Sequence, residues 1–214
     1  MNNRKTILFD FDGTIADTML IGINILNQLA EKHNFNKIGE DQLSTIRDKK
    51  AQEVMKIIDL PRYKLPLVAR KLKKRMHQQI VNSEPFNGIK EVINQLHAAG
   101  HRLGIVTSNS DKNINLFLGS HSLKGYFEII HSGISLFGKS KCIEKMIKKH
   151  TLIREEMTFI GDETRDIEAA KKCNINIISV SWGYNSKKAL SRLNPNHIVE
   201  TPEELICLLE ENKF

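Results

Sequence analysis

Short apolar runs that end in polar residues recur along the chain and predict buried β-strands. Runs of four to six apolar residues without polar alternation are typical of strands covered on both faces of a parallel sheet. The final run predicts a short edge strand. The predicted strands are 6–9, 103–106, 126–130, 157–160, 175–180 and 197–199.

Apolar residues at helical spacing fill most of the chain between these runs. Asn87 is a candidate cap for a helix that Gly100 ends, and Thr201 with Glu204 has the spacing of a capping box. The predicted helices are 19–30, 52–58, 67–81, 87–99, 111–118, 141–150, 166–173 and one that starts at 201. Beyond Pro85, strands and helices alternate, which predicts an α/β fold with a doubly wound parallel sheet.

Residues 18–83 are mainly helical and follow the first strand directly. This stretch is too long for a crossover connection inside a compact domain. We therefore predict two units: a core of residues 1–17 and 84–214, and a small helical domain of residues 18–83 inserted after the first strand.

Composition is that of an ordinary globular protein, with 40% hydrophobic and 27% charged residues. No apolar run approaches the roughly 20 residues that span a bilayer. Asp10 and Asp12 interrupt the first apolar run, which argues against a signal peptide. The odd set of Cys142, Cys173 and Cys207 lacks metal-ligand spacing and predicts free thiols. These features predict a cytoplasmic protein with no membrane partner.

The positive charge is concentrated in the helical stretch. Residues 18–85 hold 13 Lys/Arg and 7 Asp/Glu, a balance of +6, whereas the whole chain carries +7. A basic segment attracts anions. The dense run at 70–75 has no interleaved aromatic residues, so we interpret it as the solvated face of a helix. This balance predicts a small anionic substrate and no nucleic-acid partner.

Polar side chains that suit phosphate chemistry follow the predicted strands. In an open parallel sheet, active sites lie beyond the carboxyl ends of the strands. Carboxylates and water suit magnesium, while hydroxyl, backbone N–H and lysine groups suit phosphate oxygens. The predicted set is Asp10, Asp12, Thr107, Ser108 and Asp162, with Lys139 in reach just before a helix.

The spacing of Asp10 and Asp12 favours a pair of carboxylates with different tasks. Alternate residues of an extended chain point the same way, so both can flank one phosphorus atom. One can attack while the other protonates the leaving oxygen. Gly13 then allows a sharp turn.

Four segments in order resemble the motifs of the haloacid dehalogenase superfamily. Residues 9–18 (FDFDGTIADT) are similar to its first motif, 105–109 (IVTSN) to its second, Lys139 to its third and 160–170 (IGDETRDIEAA) to its fourth. Residues 180–184 (VSWGY) resemble the strand end of phosphoglycolate-phosphatase-like members. The resemblance covers nearly the whole chain, and it implies that residues 18–83 form a C1 helical cap.

The resemblance implies a role for each matched residue. Asp10 would be the nucleophile that becomes an aspartyl phosphate, and Asp12 the general acid and base, with its backbone carbonyl on magnesium. Thr107 and the Ser108 N–H would bind the phosphoryl group, and Lys139 would neutralise its charge. Metal ligands would be Asp10, Asp12 and Asp162, with Asp166 ligating directly or through water, or orienting Lys139.

Two local assignments are open in the sequence. Lys139 and Lys141 both suit the third motif, and we favour Lys139 because it precedes the predicted helix. The proline usual after that lysine is absent here. Glu163 adjoins the metal motif, and a solvent-facing turn residue is the favoured interpretation.

The implied activity is a magnesium-dependent phosphatase that acts on a small phosphorylated metabolite. Arg47, Lys49 and Lys50 lie in a stretch where cap loops of related enzymes approach the site, and one of them is a candidate substrate contact. The alternatives are a β-phosphoglucomutase-type phosphomutase, a phosphonatase with a cap lysine, and a non-catalytic regulatory protein. Monomer and homodimer both fit the sequence.

Overall fold

The computed structural model describes residues 4–133 and 138–210 of the chain. Its six strands are β1 (Thr6–Phe9), β2 (Arg102–Val106), β3 (Phe127–His131), β4 (Met157–Gly161), β5 (Asn176–Val180) and β6 (His197–Val199). They form one sheet in the order β3-β2-β1-β4-β5-β6, and all five neighbouring pairs are parallel. The predicted parallel α/β fold is confirmed, with β6 at an edge.

Ten α-helices accompany the strands in the described residues, together with four short 3₁₀ turns. The helices are α1 (Met19–His33), α2 (Leu43–Arg47), α3 (Ala51–Ile57), α4 (Leu65–Gln79), α5 (Ile89–Ala98), α6 (Asp111–Ser120), α7 (Lys139–His150), α8 (Thr164–Lys172), α9 (Lys187–Ser191) and α10 (Pro202–Glu210).

Each central strand is apolar throughout because both faces of the sheet are covered. In β1, Ile7 and Phe9 enter one hydrophobic cluster while Leu8, between them, enters another. The first cluster includes residues of α5, α6 and α10, and the second includes residues of α7, α8 and α9. This alternation follows from the two-residue repeat of a strand, and it places a layer of helices on each face.

The helices α1 to α4 lie between β1 and α5 in the chain and carry their own small core. Ile25 and Leu29 of α1 pack with Val68 of α4. This cluster is separate from the two clusters on the sheet. We refer to residues 19–82 as the helical segment.

One loop of the helical segment contacts the part of the chain that follows β5. The Arg47 guanidinium donates to the Ser181 carbonyl at 2.7 Å, and the Arg47 carbonyl accepts from the Ser186 N–H at 2.9 Å. The Asn185 amide donates to the Arg47 and Lys49 carbonyls. The connection between α2 and α3 is therefore held against the segment between β5 and α9 by hydrogen bonds that main-chain carbonyls accept.

Several helix boundaries differ from the predicted ones for local reasons. Helix α5 begins at Ile89, since Gly88 takes a left-handed φ of 86° at the N-cap position in place of the expected Asn87. Helix α7 begins at Lys139 itself. The five-residue helices α2 and α9 were not predicted, because they are too short to show a helical repeat.

Other features agree with the sequence. The three cysteines are free. The Thr201 hydroxyl accepts from the Glu204 N–H at 3.2 Å, as a capping residue does. In the described part of the chain, no helix is both long and apolar enough to cross a membrane.

Candidate functional site

The carboxyl ends of β1, β2 and β4 bring the predicted side chains to one crevice. Strand β1 lies between β2 and β4, so the residues that follow these three strands are neighbours. The Asp10 N–H donates to the Ile160 carbonyl at 2.8 Å, and the Thr107 N–H donates to the His131 main-chain carbonyl at 3.0 Å. These bonds extend the β1–β4 and β2–β3 pairings by one residue and fix the backbone of Asp10 and Thr107.

Asp10 is buried and paired with an equally buried lysine. Its Oδ2 lies 2.5 Å from Lys139 Nζ, and its Oδ1 accepts from the Phe11 N–H at 2.8 Å. Burial raises the pKa of Asp10, and Lys139 opposes that shift. Lys139 Nζ also donates to Asp166 Oδ1 at 2.5 Å. The lysine thus joins two acidic side chains from different elements.

Lys139 keeps its charge despite its burial. Burial alone would lower its pKa, but the charges of Asp10 and Asp166 outweigh that effect and raise the pKa above the usual value. Asp166 is oriented from its other side, since its Oδ2 accepts from the Glu163 N–H at 3.0 Å. Lys141, two residues into α7, is exposed. The geometry places Lys139 rather than Lys141 in the crevice.

Asp162 is fixed by two neutral donors. Its Oδ1 accepts from the Thr14 hydroxyl at 2.8 Å, and its Oδ2 accepts from the Tyr184 N–H at 2.7 Å. Gly13 approaches this carboxylate so closely, with φ of 82°, that a Cβ atom there would overlap Asp162. The sequence signalled the turn at Gly13, but not the contribution of Thr14 or Tyr184 to holding the acid.

Asp12 lies at the mouth of the crevice, where it is partly exposed. Asn109 Nδ2 donates to both of its oxygens, at 3.1 and 3.0 Å, and the Thr18 hydroxyl donates to Oδ1 at 3.0 Å. Loss of hydration and the charge of Asp10 raise the pKa of Asp12 to about 6, against the effect of these donors. A carboxyl group with this pKa can both donate and accept a proton near neutral pH.

Thr107 and Ser108 lie where β2 ends. Thr107 is buried, and its Oγ1 accepts from the Asn109 N–H at 3.0 Å. An oxygen that accepts in this way keeps its own hydrogen to donate, which suits a phosphate oxygen. Ser108 is partly exposed at the crevice.

The acidic residues of the crevice fit a divalent cation. One carboxylate oxygen each from Asp10, Asp162 and Asp166 lies within 4.8 Å of the others. Burial raises the pKa of Asp162 well above its usual value, and Glu163 and Asp10 raise it further. Lys139 is the ion-pair partner of Asp10 and Asp166, whereas Asp162 accepts only from the neutral donors Thr14 and Tyr184 and keeps an uncompensated charge. Clustered oxygen ligands with uncompensated charge are what Mg²⁺ binds.

Two charged residues at the start of α8, Glu163 and Arg165, lie closer to the acids of the crevice than the sequence predicts. Glu163 is not a solvent-facing turn residue, since its side chain is 20% exposed and pairs with Arg165. Burial alone would lower the pKa of Arg165, but the negative charges of Glu163, Asp10 and Asp166 outweigh this effect and raise the pKa. The sequence placed Arg165 inside the fourth motif, but nothing in its spacing showed that it faces these acids.

Both the sequence and the fold are similar to those of known proteins. Residues 7–180 match the family described as haloacid dehalogenase-like hydrolase. A phosphoglycolate phosphatase of Synechococcus elongatus is 26% identical over 202 residues, which is 94% of this chain and 95% of that protein.

Two solved structures share the fold at low sequence identity. A haloacid dehalogenase-like family protein of Streptococcus pneumoniae has a TM-score of 0.82 at 19% identity, covering 98% of this chain and 100% of its own. A putative β-phosphoglucomutase of Thermotoga maritima has a TM-score of 0.70 at 20% identity, covering 97% and 99%.

Proposed function

The chain belongs to the haloacid dehalogenase-like hydrolases, and from that membership and the crevice we propose that it is a magnesium-dependent phosphatase of small phosphate monoesters. The observation that carries the proposal is the position of Asp10. It is a buried carboxylate at a strand end, 2.5 Å from Lys139 Nζ and close to Asp162 and Asp166. The sequence similarity to a phosphoglycolate phosphatase supports the same reaction class.

The reaction starts with Asp10 as nucleophile. A carboxylate oxygen of Asp10 bonds to phosphorus while the bond from phosphorus to the leaving oxygen breaks. Asp12 gives its proton to that oxygen, so the alcohol departs neutral. Asp12 then takes a proton from water, which attacks the phosphorus of the aspartyl phosphate and releases Asp10 and phosphate.

The surrounding groups would neutralise and orient the phosphoryl oxygens. Lys139, the Thr107 hydroxyl and the Ser108 N–H would bind these oxygens. The Asp10 and Asp162 side chains and the Asp12 carbonyl would hold Mg²⁺, which would neutralise phosphoryl charge. Both oxygens of Asp166 are already bonded, to Lys139 and to the Glu163 N–H. This bonding supports the role of Asp166 in orienting Lys139.

We also propose that residues 18–83 form a cap domain over a core of residues 1–17 and 84–214. Residues 1–3, 134–137 and 211–214 of that core lie outside the described residues. The separate hydrophobic cluster of the helical segment supports the division. The three free thiols suit a reducing compartment and support a cytoplasmic enzyme.

Among the candidate substrate contacts, Arg47 is best placed. Both lysines already have acidic partners. Lys50 Nζ lies 2.9 Å from Glu168 Oε1, and Lys49 Nζ lies 3.9 Å from Glu53 Oε1. Arg47 reaches the Ser181 carbonyl just beyond β5, and its Nε is buried without a hydrogen-bond partner in the described part of the chain. Unlike the two lysines, Arg47 has no carboxylate partner in the described residues, which supports it as the partner of an anionic substrate.

The test is hydrolysis of p-nitrophenyl phosphate by wild type and by Asp10→Asn, with and without Mg²⁺. We expect turnover that requires Mg²⁺ and falls by at least about 10³-fold in the variant, since removal of a nucleophile has effects of that size or larger. Asp59→Asn is the matched control. Asp59 is exposed and has a left-handed φ of 50°, which asparagine tolerates.

A panel of phosphate monoesters that includes phosphoglycolate would follow. Hydrolysis that survives in Asp10→Asn would contradict the proposal. Isomerisation of a sugar phosphate without net release of phosphate would show a mutase instead.

A further inference from the structure

A row of buried amide side chains connects Asp12 to α4 of the helical segment. Asn109 Nδ2 donates to both oxygens of Asp12. Asn109 Oδ1 accepts from Asn113 Nδ2 at 2.6 Å and from the Ser110 N–H at 2.8 Å. If the Asn109 amide were flipped, its NH₂ group would face the Asn113 NH₂ and the Ser110 N–H, which are donors themselves. These two bonds therefore determine that the Asn109 NH₂ faces Asp12.

The next link determines the position of a proton on a histidine. Asn113 is 1% exposed, and its Nδ2 is occupied by Asn109, so its Oδ1 accepts from His77 Nδ1. His77 must therefore carry a proton on Nδ1. The bonds then run in one direction, from His77 to Asn113, from Asn113 to Asn109 and from Asn109 to Asp12.

The members of this row come from two parts of the molecule. His77 belongs to α4, Asn113 to α6, and Asn109 to the loop after β2. The 3₁₀ turn that follows α4 packs against α6. The row is complete only while the helical segment lies against α6.

We propose that His77 is a positioning residue, which makes the orientation of Asp12 depend on contact between the helical segment and α6. This inference rests on the proposed phosphatase function. Loss of the His77 donor leaves a buried Asn113 oxygen without a partner, which is unfavourable. Asn113 relieves this by turning its amide toward another donor, and Asn109 then loses the bond that orients it. Asp12 is left in a less defined position for proton transfer.

The expected signature is a dependence on the leaving group. A general acid matters most when the leaving oxygen is a strong base. In His77→Leu, kcat/KM for phenyl phosphate should fall on the order of tenfold more than for p-nitrophenyl phosphate, a fraction of the full general-acid effect. The apparent affinity for Mg²⁺ should stay the same, because His77 does not contact the acidic cluster.

Two variants separate positioning from folding. His77→Asn retains an N–H near the position of Nδ1 and should restore most of the activity on phenyl phosphate. His33→Leu is the control within the same segment. His33 contacts Lys71 Nζ at 2.9 Å, far along the chain from the Asn113 row, and its replacement should leave both substrates unaffected.

The outcomes distinguish this inference from the function on which it rests. Wild type that hydrolyses neither ester overturns the proposed function. Active wild type with a His77→Leu variant that slows both esters equally, or neither, overturns the role of His77. If His77→Leu does not fold, His77→Phe, which keeps a ring without the donor, gives the same comparison.

Discussion

At the scale of single residues, the crevice holds more negative charge than its own cations neutralise. Asp162 is fully buried, and its bonds come from a neutral hydroxyl and a backbone N–H. Burial also raises the pKa of Asp10, Asp12 and Glu163. Such a site is unfavourable until a cation or a proton binds. The stability of the fold should therefore depend on both Mg²⁺ and pH.

For Asp162, the direction in which stability changes with pH can be predicted. Its folded-state pKa is raised, so its contribution to stability is complete below the unfolded pKa of about 4 and is lost as pH rises through the folded pKa. At neutral pH and without metal, we expect the free energy of unfolding of Asp162→Asn to exceed that of wild type by about 1 kcal/mol. This corresponds to a Tm higher by roughly 2–4 °C. Asparagine can still accept from Tyr184 and donate to Thr14.

Thermal unfolding with a chelator and with Mg²⁺, at mildly acidic and neutral pH, checks this prediction. Mg²⁺ should raise the Tm of wild type at neutral pH by mass action and have little effect on Asp162→Asn. A variant less stable than metal-free wild type at neutral pH would show that the charge of Asp162 is compensated in the fold.

At the scale of elements, the site depends on close contact between the loops that follow β1, β4 and β5. Gly183 lies against Gly13 and Asp162, and a Cβ atom added at Gly183 would come closer than 3.0 Å to the Gly13 carbonyl and to the Asp162 side chain. Neither neighbour can rotate away, because one is backbone and the other is held at both oxygens.

Gly183→Ala should therefore separate these loops. We expect a loss of about 1–3 kcal/mol in the free energy of unfolding, typical of overpacking, and at least about tenfold weaker Mg²⁺ activation. Denaturant unfolding and a magnesium titration of turnover measure the two effects. Gly119→Ala is the control: it lies in α6 with open space around it, and alanine there should be neutral or stabilising.

Sequence patterns predicted those elements whose cause is local. The apolar strands and their polar ends follow from burial on both faces, so Asp10, Thr107 and Asp162 could be placed at one edge. The contacts of Thr14, Tyr184, Arg165 and His77 depend on residues distant in the chain. Periodicity holds no information about such pairs. The start of α5 at Ile89 was missed because Gly88 replaces a side-chain cap with a left-handed turn.

At the scale of the whole molecule, two of the described contacts between the helical segment and the rest of the chain bear on the crevice. One is the loop that includes Arg47, held by Asn185 and Ser186. The other is the contact of His77 with Asn113. The basic residues Arg70, Lys73 and Lys74 of α4 are exposed, as a solvated helix face predicts. The excess positive charge thus belongs to the segment that borders the proposed substrate site.

Asp10 is the residue proposed to carry the phosphoryl group, and the mass of the enzyme after reaction tests this role. Asp12→Asn cannot activate water, while p-nitrophenolate departs with little help from an acid. Incubated with p-nitrophenyl phosphate and Mg²⁺ and quenched in acid, this variant should gain one phosphoryl group on the peptide that contains Asp10. The double variant Asp10→Asn/Asp12→Asn should gain none. A phosphoryl group on another residue, or an unmodified Asp12→Asn chain beside an active wild type, would show that Asp10 is not the nucleophile.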